Sequence, residues 1–153
     1  MGARTVRSVV VTAMLERIEA GRITESRVME MVFPGQANHY GTLFGGQALA
    51  LMDKAAFMVA SRYTRLPVVT VSTEKIDFHT PVKQGQLVEL VARVVQTGRT
   101  SLTVEVEVYG EDILSGERAL STRGRIIFVA LDSNGRPTPV PTLSTAAVRS
   151  EGA

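Results

Sequence analysis

Within the stretch FGGQALALMDKAAFMVA (Phe44–Ala60) one residue is out of place. Asp53 sits in an otherwise almost wholly apolar segment. Helical spacing puts it on a face with Gly46, Leu49, Ala50, Ala56, Phe57 and Ala60. Gln47, Lys54, Ser61 and Arg62 mark the water-tolerant side, where a carboxylate ordinarily belongs. A carboxylate buried without a partner costs several kcal/mol or takes up a proton. Asp53 therefore either has a partner, as an interior carboxylate that caps a loop or meets a basic side chain, or it serves chemistry. Burial tunes carboxylates towards neutral pH, which is why perturbed ones gather at functional sites.

What the chain lacks narrows that chemistry. Its 153 residues contain no cysteine, which removes disulfides, thiolate metal ligands and cysteine nucleophiles. The two histidines, His39 and His79, have no ligand-like spacing, so no metal site is expected. His39 reads as a solvated loop residue and His79 as the end of a strand. The formal net charge is +2, with no Lys/Arg run that reads as a nucleic-acid surface. A modest positive bias suits an anionic small molecule. No stretch reaches the ~20 apolar residues that span a bilayer. The N-terminal MGARTVRSVVVTAML runs into ERIEAGR rather than a small-residue cleavage site. The expectation is a cytoplasmic protein without nucleic-acid or membrane partners.

The elements that must hold Asp53 follow from periodicity. Residues 1–25 read as an extension with a short helix near Thr12–Ala20, and residues 26–141 as the single domain. SRVMEMVFP (Ser26–Pro34) reads as a strand, and Gly35–Gly46 as a Gly- and Asn-rich loop. Gly45 and Gly46 open a helix that runs to about Tyr63. Four strands follow: Pro67–Phe78, Leu87–Gly98, Ser101–Gly110 and Ala119–Asp132. In the third of these, Leu102, Val104, Val106 and Val108 alternate with Thr103, Glu105 and Glu107, the pattern of a half-buried antiparallel strand. Residues 142–153 read as a flexible Ser/Thr-containing tail. Short turns imply antiparallel neighbours, and a helix apolar nearly all round must be buried on most sides. The expected α+β architecture is one antiparallel sheet wrapped around one central helix. That leaves sheet edges and part of the helix uncovered, so at least a homodimer is expected.

Four stretches, in this order and spacing, carry a family resemblance. NHYGTLFGGQALALMDKAA is similar to the Asn-x-x-Gly-x-x-Phe-Gly-Gly loop and Met-Asp helix of the hotdog-fold acyl-CoA thioesterases. VVTVSTEKIDFHTPVKQG resembles their second strand and turn, TGRTS their Gly-Arg turn, and FVALDSNGRPTPVP their closing Asp-x-x-Gly-Arg segment. The nearer resemblance is to the subgroup of bacterial broad-range acyl-CoA thioester hydrolases and brain-type acyl-CoA hydrolases. It covers roughly Arg27 to Pro141.

The resemblance implies hydrolysis of acyl-CoA to a carboxylic acid and CoA, without metal or redox cofactor. Asp53 would be the catalytic carboxylate, activating water or attacking the carbonyl itself. The helix-start amides of Gly45 and Gly46, Gly46 above all, would hold the developing oxyanion; otherwise the pair is only a flexible helix start. Asn38 would donate to the carbonyl or hold the water, or it simply bonds its own loop. In a hotdog dimer Asn38 and Asp53 would meet from opposite subunits, and the resemblance extends to a hexamer built as a trimer of dimers. Thr73, read as sharing a face with Val69, Val71, Lys75 and Asp77, is a candidate for touching substrate or water. Gly98 and Arg99 in TGRTS are candidates for the CoA pyrophosphate. Arg123 and Arg125 share a face of the last strand, as a phosphate site or a solvated face. Met52, Phe57, Met58 and Leu66 are candidates for the pocket floor. Two other readings stay open: a non-catalytic acyl-CoA-binding module, and a hotdog dehydratase or hydratase, which would need a histidine beside a carboxylate.

Overall fold

The computed structural model describes residues 15–19 and 21–143. Strands β1 (Leu15–Glu19) and β2 (Arg22–Met31) form a hairpin, and helix α1 spans Gly45–Thr64. Strands β3 (Val68–Phe78), β4 (Leu87–Thr97), β5 (Ser101–Glu111) and β6 (Arg118–Ala130) follow. All six join one antiparallel sheet in the order β1-β2-β4-β5-β6-β3. The expected architecture is therefore present, with β1 and β3 as the two edges.

α1 lies across the concave face because its residues alternate correctly for one buried stripe. Ala48, Met52, Ala55, Ala56, Val59, Ala60 and Tyr63 are buried against the sheet. They meet the inward side chains of β4, β5 and β6: Leu90 and Ala92, Leu102 to Val108 in alternation, then Ile126 and Phe128. Gly124 leaves no room for a side chain between β3 and α1. A Cβ there would sit 2.7 Å from Ile76 Cγ1 and 3.3 Å from Met52 Cε. α1 stops at Arg65, whose backbone turns left-handed (φ 55°) while its N–H bonds Ser61 O at 2.7 Å.

Both termini differ from expectation. Leu15–Glu19, placed in a short helix from the sequence, is strand β1; residues 12–14 and 20 lie outside the described residues. β2 offers a free edge, and ladder bonds from Arg27 to Arg22 outweigh local helix preference. The sheet thus begins before residue 26. At the other end Tyr63 donates its hydroxyl to Pro141 O (2.8 Å), and Leu143 N bonds Thr97 Oγ1 (3.0 Å). Order therefore runs past residue 141 to Leu143, and residues 144–153 lie outside the described residues.

β3 carries the other revision. Its register against β6 slips twice, between Thr70 and Ser72 and between Glu74 and Asp77, with Lys75 at φ 46°. Each slip inserts an extra residue and reverses the alternation.

Candidate active site

The loop before α1 is organised by Asn38. Its Oδ1 accepts the backbone N–H of Tyr40 (3.0 Å), the N–H of Thr42 (3.1 Å) and the hydroxyl of Thr42 (3.1 Å). Its own N–H bonds Thr42 O at 2.8 Å, and Gly41 closes the turn with φ 74°. Bridges Ala37–Leu43 and Thr42–Lys83, with Leu43 N on Val82 O (2.8 Å), tie this loop to the β3–β4 turn. The loop reading of Asn38 is thus realised in its oxygen, while its Nδ2 has no partner among the described residues.

α1 begins with Phe44 as its cap residue, which gives no side-chain bond, and its first turn holds no acidic residue. Ala48 is the first residue whose N–H is taken, by Phe44 O at 2.9 Å. The amides of Gly45, Gly46 and Gln47 have no partner among the described residues, at the positive end of the helix dipole. A Cβ on Gly46 would meet nothing within 4 Å, so its amide is open to a ligand. A cavity of about 170 Å³ adjoins Gly45, lined by Thr42, Leu43, Ala48, Phe78 and Thr122.

Asp53 proves to have a partner. Thr70 Oγ1 on β3 donates to Asp53 Oδ1 at 2.8 Å. Nor is the carboxylate buried within one chain: it is exposed, beside Leu49 (39%) and Phe57 (46%) on α1. Ala56 and Ala60, placed beside it from helical spacing, lie instead in the core. Asp53 is seven positions after Gly46, about 10 Å along a helix axis. One reacting carbonyl cannot touch both in the same chain, and no bond joins Asn38 to Asp53.

The remaining candidates scatter. Thr73 pairs with Ile126, a core residue, so it faces the helix side with Thr70 and not with Val69, which pairs with Val129. The bulge at Val71 is the reason. Gly98 N is taken by Ser101 O (2.8 Å), which removes it as an anion donor; the Arg99 side chain is exposed and has no partner among the described residues. Arg123 and Arg125 lie on the outer sheet face, bonded to Glu107 (2.9 Å) and Glu105 (3.4 Å). Met52 is fully buried in the core, and Leu66 packs against that core.

That outer face is a lattice of arginines over glutamates. Arg17 and Arg27 meet Glu25, Arg27 and Arg118 meet Glu89, and Arg93 and Arg123 meet Glu107. Burial pushes the Glu107 carboxyl up, but hydrogen bonds from Tyr109, Arg123 and Arg93 outweigh it and hold it at about 2.

Two residues escaped the sequence reading. Thr70 carries no motif, and its role depends on a bulge. Thr42 stands inside the quoted NHYGT loop, but only the folded turn shows its hydroxyl on Asn38.

No group of His, Asp and Glu among the described residues forms a metal-binding cluster. No helix there is long and apolar enough to cross a membrane. His39 stacks against Tyr40 with ring centres 3.9 Å apart, and His79 N bonds Ser121 O. Neither histidine pairs with a carboxylate among the described residues.

Residues 40–117 match the family described as Thioesterase superfamily. The uncharacterised acyl-CoA thioester hydrolase YkhA of Bacillus subtilis is 40% identical over 83% of this chain and 75% of that protein. An apo hexameric acyl-CoA thioesterase has a similar structure, with a TM-score of 0.77 and 36% identity over 84% of this chain and 89% of that one. An acyl-CoA hydrolase from Staphylococcus aureus, solved with butyryl coenzyme A and coenzyme A, gives a TM-score of 0.75 and 32% identity over 84% and 85%. That enzyme was also solved with an asparagine, an aspartate or a threonine replaced by alanine. The three stand at the same intervals along its chain as Asn38, Asp53 and Thr70 do here.

Proposed function

The chain belongs to the thioesterase superfamily and has its hotdog fold, and from that premise we propose that it hydrolyses acyl-CoA thioesters in a site shared between two copies. The observation that carries this reading is the set Asn38, Asp53 and Thr70, matched in type and interval to the three residues substituted in the S. aureus hydrolase.

The chemistry follows from what each group has left to give. Thr70 occupies Asp53 Oδ1, so Oδ2 takes the proton of an attacking water, or attacks the carbonyl carbon itself. The new C–O bond pushes charge onto the carbonyl oxygen. The open amides of Gly46 and its neighbours, with Asn38 Nδ2, receive that charge. The C–S bond then breaks: on the water route the CoA thiolate leaves with the proton held by Asp53, and on the direct route it leaves behind an anhydride that a water then cleaves, supplying the proton. Water is consumed, and a carboxylic acid and a free thiol are formed. Arg99 is the retained candidate for a CoA phosphate; Arg123 and Arg125 serve their glutamates first.

Two copies are needed because Asp53 and the helix-start amides lie too far apart in one. The open face of α1 and the unpaired edge of β3 provide the surface where a second copy fits. The proposal requires each Asp53 to lie beside the other chain's Gly46 and Asn38.

The test is thiol release from acyl-CoAs of acetyl to palmitoyl length, for wild type and Asp53→Asn. Hydrolysis by the wild type, with loss of several orders of magnitude in a folded Asp53→Asn, is the expected result. A wild type that releases no thiol yet is stabilised by CoA thioesters makes the protein a binding module.

A further inference from the structure

Building on the hydrolase reading, we propose that Thr42 is a positioning residue whose hydroxyl steadies Asn38 as a hydrogen-bond donor to the reacting groups. Two of the three donors on Asn38 Oδ1 are backbone N–H groups, from Tyr40 and Thr42. A backbone N–H only donates, so the amide end facing the loop must be the oxygen. The third donor is the Thr42 hydroxyl at 3.1 Å. A carbonyl oxygen has two lone pairs, and three donors leave it no capacity for another. Asn38 therefore cannot accept a proton from an attacking water. It can only donate, through Nδ2, to the thioester oxygen or to a lone pair of the water.

Thr42 is the one side chain in this arrangement. It is itself fixed at both ends: its carbonyl accepts Asn38 N–H at 2.8 Å, and it bridges to Lys83 across the loop. It also lines the cavity beside Gly45. The hydroxyl thus completes the grip on one end of the amide and aims the other. Without it the two backbone donors still hold the oxygen, but the amide's last torsion is less tightly restrained.

The test is a kinetic cycle. Thr42→Val keeps the branched shape and the backbone N–H, and Thr42→Ser keeps the hydroxyl. Thr42→Val is expected to lower kcat roughly three- to tenfold and leave KM within about twofold. Thr42→Ser stays near wild type, and Thr42→Val has no further effect in an Asn38→Ala background. An equal loss in that background, or none in either, overturns the positioning role. Asn38→Asp tests the donor role without Thr42. Its oxygen still satisfies the loop, but an acceptor replaces Nδ2, so activity should fall as far as in Asn38→Ala. Activity above half of wild type in Asn38→Asp overturns the donor assignment. A wild type that releases no thiol from any acyl-CoA overturns the hydrolase reading instead. The side-chain amide NMR signals of Asn38 then decide the positioning: Thr42→Val should shift or broaden them and Thr42→Ser should not, while unchanged signals in Thr42→Val overturn it.

Discussion

At Asp53 a single hydroxyl distinguishes the two carboxylate oxygens. Thr70 holds Oδ1 at 2.8 Å on an otherwise open helix face. Thr70→Val keeps the side-chain volume and removes the donor, so the carboxylate gains a rotation it now lacks. On the proposed mechanism this lowers kcat about tenfold and leaves KM little changed, with Thr70→Ser near wild type; steady-state thiol release reads both. The sequence brings out Asp53, Asn38 and the two glycines because their types are unusual where they stand. It does not separate Thr70 from Thr73. Both are threonines mid-strand, and strict alternation groups Thr73 with Val69 and Val71. The extra residue at Val71 breaks that alternation, and nothing in VVTVSTEK marks where a bulge falls.

Among the elements, the outer sheet face holds a network of arginines over glutamates. Glu107 sits under Arg93, Arg123 and Tyr109 with its carboxyl at about 2, against a usual 4.5. A folded-state value below the unfolded one means stability that is complete above about pH 4.5 and lost as pH falls towards 2. Glu107→Gln should therefore unfold more easily than wild type at pH 7, and the gap should close through that window. Unfolding midpoints measured from pH 7 to pH 2 read this directly; a gap independent of pH would contradict the pairing. Alternation along β6 puts Arg123 and Arg125 on one face, as they are, but the side chains they meet follow from register. Only the pairing of β5 with β6 sets Arg123 opposite Glu107 and Arg125 opposite Glu105. The same limit explains the N-terminus. Leu15–Glu19 has a helix-compatible composition, and the partner that makes it a strand is supplied by β2. The central helix and the four later strands are legible because each is long and has Gly or Pro near its ends, although β3 breaks its own alternation.

For the whole molecule, the proposed site has an arithmetic of its own. If Asn38 of one copy works with Asp53 of another, two dead variants can rescue each other. Asn38→Ala and Asp53→Ala chains, unfolded together and refolded, should form mixed dimers with one site doubly damaged and one intact. Random pairing then restores about a quarter of wild-type activity. A site contained in one chain restores none, and thiol release by the mixture tells the two apart.

The gap of about 10 Å between the helix-start amides and Asp53 also bears on gene dosage. A newly made chain would carry an unfinished reaction centre until it meets another. While chains are scarce, working centres would rise with the square of their number, and in proportion once pairing is complete. Low expression would then leave acyl-CoA pools nearly untouched, and a modest rise in synthesis would switch their turnover on steeply.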